Sequence, residues 1–422
     1  MHFSPTPSSP TRLRSLEPHA SWRWLVLCAA LMGGQVRAHG EMDDPLPAET
    51  GLSWEAAAVL RSLHANKTLP STRLDGVLLQ GDAGMDPEDS ALEHGALGLT
   101  ARLNDTWGAR LLVGQHGSEP AEVEEAWVQA RHDADNGDVW RLNAGRQRPA
   151  MGEALAGAGH FDRFGLVPLA TRMATDHHWV DDGLQLAWRR DAASRWSVDV
   201  GLWHGQGFPG AARAAAVPSL HLAWGQGPWR ADAVWAGFRP RGRGAAVTGT
   251  AGHSHSAPVC DASLSEVICF SGDTTLAGGS LRWSGPEAQN PWPVTLTAAG
   301  WLRHDSGTLE SANGLVDYAG RNRAGWLEAV WHLHQDWEVA WRGERLSATH
   351  ALTGAGAALL VNEARLQHYQ PSRRQALALG WQVRPWARLH LETGQENVAG
   401  TRARYTALRL LLSAGGAWPQ NP

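Results

Sequence analysis

The sequence predicts an all-β chain: a transmembrane up-and-down antiparallel β-barrel of about 16 strands, with both termini on the periplasmic side. Three observations predict it. From Arg73 onward apolar residues recur with period 2, the spacing of a strand with one apolar face, not with the 3.6 of a helix. Short and long connections between the candidate strands alternate in strict order. Tryptophans gather beside the short ones.

Taken in order, the chain opens on a targeting segment. Arg12, Arg14 and Arg23 precede the apolar run 24–32, and Val36-Arg37-Ala38 offers a small-residue cleavage site, so residues 1–38 read as a signal peptide. The run is too short to cross a bilayer as a helix, and Leu27 before Cys28 argues against a lipoprotein. Residues 39–70 read as a periplasmic segment, acidic and Pro-rich to residue 52. A short helix opened by Ser53 follows, with Trp54, Ala58 and Leu60 on one face. The segment is too short for the plug of an energy-coupled receptor. Residues 71–418 are then the barrel.

Within it, Leu97, Leu99, Ala101 and Leu103 alternate with Gly98, Thr100 and Arg102, and similar patterns recur around 107–113, 184–188, 196–202, 294–302 and 377–383. A soluble sandwich would alternate in much the same way, so the connections discriminate better. Short links fall at 104–105, 133–137, 191–194, 226–228, 285–291, 335–336 and Pro385. Longer ones fall between them, at 82–91, 117–120, 148–182, 205–218, 239–273, 305–323, 347–372 and 397–401. An up-and-down barrel requires this parity, with short turns below and longer loops outside. Trp107, Trp140, Trp188, Trp196, Trp229, Trp292, Trp337 and Trp386 border the short turns, the depth at which amphipathic rings meet lipid headgroups. The alternative architecture is an exported soluble β-protein, such as a propeller that binds carbohydrate through exposed Trp.

Composition narrows the partners. A formal charge of −5 with pI ≈ 6.5 and no basic patch argues against nucleic acid. There is no G-x-S-x-G, H-E-x-x-H or P-loop pattern, so no enzyme is expected. With Cys28 removed, Cys260 and Cys269 remain as an even pair in an oxidising compartment, which favours a disulfide over a two-thiolate zinc site.

Several stretches resemble a proteobacterial outer-membrane family described as zinc-regulated receptors or porins, and more distantly the phosphate-selective porins. They are Val123-Glu124-Glu125-Ala126-Trp127, Asn143-Ala144-Gly145-Arg146, the run DHHWVDDGLQLAW, Gly205–Gly210 (GQGFPG) and the cysteine-bearing tract 259–283. Together they touch about half of the mature chain, and their order is more specific than any one of them. The resemblance implies an outer-membrane barrel engaged in metal-ion passage. Two features depart from it: the His-rich tract is reduced to His253 and His255, and the chain runs past Trp418 to Pro422 where such barrels end on an aromatic residue.

The segment 148–182 carries the most chemistry. It bears His160, Asp162, Asp176, His177, His178, Asp181 and Asp182, and long connections inside a compact domain are usually functional. It is expected to project over or into the lumen and set what passes. Asp176, His177, His178 and Asp182 supply imidazole and carboxylate donors for zinc-like ions, and His253 with His255 share one face if extended. A solvated loop explains the same residues more plainly, and vicinal histidines in an extended chain point apart. Zn²⁺ binding would be transient, and no cofactor is required. On the faces opposite the apolar ones, Arg102, Arg110, Arg131, Arg141, Arg189, Arg230, Arg303, His332, His334, Arg342 and Arg388 are expected to line the pore. Arginine rings favour anions.

The reading is therefore an outer-membrane channel for small solutes, with divalent metal ions as the specific expectation. A general or anion-preferring porin is the alternative. Expected partners are outer-membrane lipid, the barrel-assembly machinery, small solutes or ions and, as one option, a second copy of the chain.

Overall fold

Alternation decides which way each side chain faces, and one closed sheet satisfies it throughout. The computed structural model describes residues 46, 49–79, 88–117, 120–156, 159–176, 179–190, 194–208, 210–213, 216–246, 260, 267–285, 293–367 and 369–417. Its first strands are β1 (Gly51–Ala65), β2 (Glu88–Arg102), β3 (Trp107–His116), β4 (Glu122–Asp133), β5 (Asp138–Gln147) and β6 (Asp181–Arg190). Next come β7 (Arg195–Trp203), β8 (Ala211–Arg213), β9 (Val217–Gln226), β10 (Trp229–Phe238), β11 (Arg241–Ala246) and β12 (Val267–Ser284). The last are β13 (Val294–Ser311), β14 (Gly314–His334), β15 (Trp337–Thr353), β16 (Ser372–Arg384), β17 (Ala387–Val398) and β18 (Thr401–Ala417).

Every pairing is antiparallel, and β1 closes on β18 from Ser53 opposite Ala417 to Ala65 opposite Tyr405. The short β8 and β11 pair with each other, while β7 pairs directly with β9 and β10 directly with β12. Sixteen strands therefore form the wall, and β8 and β11 extend it at one rim. Closure leaves no sheet edge, which a bilayer requires of strands. Among the described residues no helix is long and apolar enough to cross a membrane.

The strand directions sort the ends. The β2–β3, β4–β5, β6–β7, β9–β10, β12–β13, β14–β15 and β16–β17 connections share one end with the start of β1 and the finish of β18. The outer wall carries exposed leucines, among them Leu97, Leu184, Leu302 and Leu377. Near the short-turn end, Trp140 stands opposite Trp188, Trp196 opposite Trp224, Trp229 opposite Trp283 and Trp337 opposite Trp381. The rings of the last pair stack at 5.1 Å. This is the expected girdle, built from cross-strand pairs. Trp292 and Trp418 lie outside the described residues.

Three expectations are corrected. Residues 53–65 are not a helix but most of β1. Its alanines suit a helix intrinsically, yet Glu55 and Arg61 face inward to ion partners Arg110 and Asp89, and tertiary pairing overrides propensity. Residues 305–323 are not a loop: β13 and β14 run on to a tight turn between Ser311 and Gly314. Their outward side changes from Leu302 and Leu327 to His304, Arg321 and Arg323, so apolar alternation stops where the strand leaves the hydrocarbon, not where it ends. Likewise 397–401 holds only the turn at Ala399 and Gly400, both at positive φ.

The packed core lies inside the barrel. The β5–β6 connection folds inward and carries α1 (Glu153–Ala156) and α2 (Leu169–Thr175), the second buried along its whole length. Leu155, Leu169, Met173 and Trp179 pack with Trp203, Phe238, Leu276, Trp301 and Trp326 of the wall. The segment after β1 adds Leu74, Val77 and Leu79. Each fully buried large apolar side chain is worth roughly 1.5–3 kcal/mol, enough to hold this segment inside. A third helix, α3 (Ala357–Glu363), packs at the long-loop end, where Glu363 accepts from Ser311 at 2.7 Å. Cys260 and Cys269 are joined, Cα to Cα 5.9 Å, tying residue 260 to β12.

Candidate functional site: the lumen and its inward loop

The inward loop is held by buried charges on the far wall. Arg409 of β18 makes a two-pronged contact with Glu93 of β2 at 2.9 and 3.0 Å and donates to the carbonyls of Asp162 and His160. Arg342 donates to the Leu166 carbonyl at 2.6 Å, and Arg374 to that of Val167. Between these two arginines Glu344 accepts from Arg342 Nε at 3.0 Å, from Arg374 Nε at 2.8 Å and from the Leu169 amide at 2.6 Å. Glu392 takes the Gly165 amide at 2.6 Å, and His390 Nδ1 bonds the Arg163 carbonyl at 2.9 Å. At the helix end, Arg303 donates to the carbonyls of Met173 and Leu78, both at 3.1 Å.

A loop that crosses a lumen must satisfy backbone groups that strands would otherwise pair. Here arginines and carboxylates of β13 and β15–β18 do it. Arg342, Glu344, Arg374 and Arg409 have side chains only 1% exposed. Charges so far from water are tolerated when paired and hydrogen-bonded. Within the loop, burial lowers the His160 pKa below the usual imidazole value, although the Glu93 contact at 3.1 Å opposes it. Burial alone would also lower the Arg163 pKa; Glu338, Glu328 and Asp162 around it raise it instead.

The expected pore-lining residues take several different positions. Arg303 and Arg342 do face inward, but they anchor the loop. Arg110 sits between Glu55 and Glu125 at 2.5 and 3.0 Å, inside the wall's own network. His334 stands beside the β14–β15 turn, 3.6 Å from Asp336, and is mostly exposed at the rim. Arg102, Arg131, Arg141, Arg189, Arg230 and Arg388 lie on the inward parity, near the short-turn ends of β2, β4, β5, β6, β10 and β17, and Arg131 is directly opposite Arg141. Arg282 of β12 stands opposite Arg230 in the same tier. Asp133 beside Arg131, Glu153 beside Arg282 and Glu338 beside Arg388 temper the positive charge. His332 lies 3.9 Å from Glu338.

Of the expected metal ligands, Asp176 and Asp182 lie among the described residues. Asp176 ends α2 at positive φ and pairs with Arg172 at 3.1 Å, and Asp182 pairs with Arg146 at 3.5 Å on an exposed strand end. His177, His178, His253 and His255 lie outside the described residues. Sequence reading also missed the anchors Glu93, Glu344, Arg374 and Arg409, and it placed Glu392 on the lumen face without a loop role. A signal was present for Glu344, Arg374, Glu392 and Arg409, charged residues on the inward parity of their strands, but nothing marked them as loop partners and not pore residues; Glu93 turns inward only at a bulge.

No family model matches the chain, and no curated protein matches it. Solved outer-membrane barrels do. A loop L8 deletion mutant of OmpT from Vibrio cholerae superposes with TM-score 0.55 at 12% identity, covering 86% of this chain and 100% of that one. The in-vitro folded trimer form of OmpT gives 0.54 at 10% identity, covering 87% and 100%. An anion-selective porin from Comamonas acidovorans gives 0.53 at 11% identity, again covering 87% and 100%. These likenesses establish the fold: a 16-strand outer-membrane-type barrel.

Proposed function

We propose that this chain is an outer-membrane channel through which small hydrophilic solutes diffuse, with a preference for anions. The observation that carries the reading is the tier of inward arginines at the short-turn end, to which β2, β4, β5, β6, β10, β12 and β17 each contribute one. A ring of guanidinium groups at a water-filled mouth concentrates anions and repels cations. The similarly folded Comamonas acidovorans protein is an anion-selective porin, which supports the same sign. The short turns and both termini are then periplasmic, residues 1–38 are removed on export, and a trimer is the assembly suggested by the OmpT form.

Divalent-metal passage, the finer expectation from sequence, runs against the sign of this ring. Bilayer conductance of the refolded protein decides between them. In a KCl gradient the reversal potential should indicate anion preference, and Arg131→Gln with Arg189→Gln should move it toward cation preference. Cation selectivity in the unmodified protein, carried by zinc in a ZnCl₂ gradient, would replace this reading with metal passage. Absence of any conductance from a folded barrel would remove both.

A further inference from the structure

Two irregularities in otherwise regular strands meet at one point. In the β1–β2 ladder Val59 pairs with His94 and Leu60 with Leu92, so Glu93 is an extra residue. In the β3–β4 ladder Leu112 pairs with Glu125 and Val113 with Val123, so Glu124 is extra. A bulge breaks the alternation and re-aims a side chain. Here it lets consecutive residues, Glu93 with His94 and Glu124 with Glu125, all leave the lipid side. Glu93, His94 and Glu124 are each at most 8% exposed.

The re-aimed groups form a cluster with His116, which pairs across from His94, and with His160 of the inward loop. Donor atoms of His94, His116 and Glu124 all lie within 4.8 Å of one another. The His94 ring is 4.6 Å from those of both His116 and His160, and the latter two are 4.9 Å apart. His94 Nε2 is 2.7 Å from Glu124 Oε1, whereas its buried Nδ1 has no partner. Outer groups orient the donors: Glu93 engages His160 Nδ1 at 3.1 Å, and Arg148 donates to Glu124 Oε2 at 3.2 Å. Beneath them Gly114 keeps the space open, since a Cβ there would stand 1.9 Å from Glu124 Oε1 and 2.9 Å from His94 Nε2.

We propose that His94, His116, Glu124 and His160 form a binding site for a zinc-class divalent cation, which fastens the inward loop to the β2–β4 wall. The donor set is three imidazoles and one carboxylate, the borderline ligands that zinc takes in tetrahedral sites at roughly 2.0–2.2 Å. The cluster closes onto the ion by small side-chain movements. Carboxylate support of a histidine, as Glu93 gives His160, is the usual outer shell of such sites. Three ligands come from the wall and one from the loop, so occupancy favours the docked loop by mass action. Hard cations such as calcium prefer all-oxygen shells and are excluded by the imidazoles. The effect on the channel rests on the function proposed above; the binding does not.

The test uses the full refolded protein in detergent, titrated with ZnCl₂ by calorimetry, with CoCl₂ as a spectroscopic substitute. One zinc per chain should bind with micromolar or tighter affinity, and cobalt should give the visible bands of a tetrahedral site. His116→Ala and Glu124→Gln should each weaken binding by at least tenfold, and His160→Ala should do the same. Heat-modifiable migration reports that each variant still forms a barrel. Asp176→Ala with Asp182→Ala should leave zinc binding unchanged. No saturable zinc binding by the folded protein would overturn the site. Undiminished binding in His160→Ala would overturn the fastening of the loop. Calorimetry needs no ion current, so a failed channel reading and a failed metal site give separate results.

Discussion

Replacing Glu344 with Gln tests whether buried charge holds the loop in the lumen. The change conserves volume and removes only the negative charge between Arg342 and Arg374. Losing one member of a buried pair costs about 3–5 kcal/mol when the partner stays charged and enclosed. The lower end applies here, because Arg342 keeps Asp162 at 3.5 Å and Arg374 keeps Glu396 at 3.9 Å. About 3 kcal/mol lowers the ratio of docked to released loop by roughly 10²-fold, at 1.4 kcal/mol per tenfold. Single-channel recording should then resolve new, larger conductance levels, and trypsin should cut at Arg163 or Arg172 in the folded barrel. The reasoning fails if Glu344→Gln keeps the parent conductance and both arginines stay protected while the barrel is shown to be folded.

Three further outcomes follow from the same structure. Non-reduced digests should contain a Cys260–Cys269 linked peptide, and reduction should cost the long-loop end on the order of 2–3 kcal/mol by the loop-entropy model; two free thiols by mass would refute it. Asn313→Cys, in the β13–β14 turn, should be labelled by an impermeant reagent on intact cells, and Asn136→Cys, in the β4–β5 turn, should not; equal labelling would invert or abolish the topology. Gly307→Val should lower the temperature at which the folded band is lost in detergent, because a Cβ there would lie 2.1 Å from the Ser271 carbonyl oxygen and overpacking costs about 1–3 kcal/mol; an unchanged transition would show that β12 and β13 separate freely.

Much of the wall was legible because a barrel strand in lipid has only two environments. Leu97 and Leu99 against Gly98 and Thr100 can be assigned without knowing any partner. The same rule failed in β1, where Ala56, Ala57 and Ala58 carry no contrast between faces, and in β13 and β14 above Leu302, where both faces become polar. The inward loop was legible as a special segment but not as a packed one. Its apolar residues, Leu155, Leu169, Met173 and Trp179, are spread over 25 residues and find their contacts on Trp203, Phe238 and Trp301. Period counting sees no such long-range complement. The arginines were legible as inward residues, and only tertiary contact separates Arg303 and Arg342, which hold backbone carbonyls, from Arg131 and Arg189 near the mouth.

The histidine–carboxylate cluster follows from that rule by exception. In a strand of strict period 2, two adjacent polar residues cannot both avoid lipid unless the ladder gains a residue. Glu93-His94 and Glu124-Glu125 are such pairs, and both sit where the ladder slips. A bulge costs ladder hydrogen bonds, and its persistence on two nearby strands needs a return in the lumen. Glu93 finds Arg409, Arg61 and His160; Glu124 finds His94 and Arg148. The bulges in β2 and β4 thus mark one place where the wall grips the loop. Broken alternation, not the histidine-bearing loop motif itself, is the sequence feature that locates the one group of possible metal ligands found among the described residues.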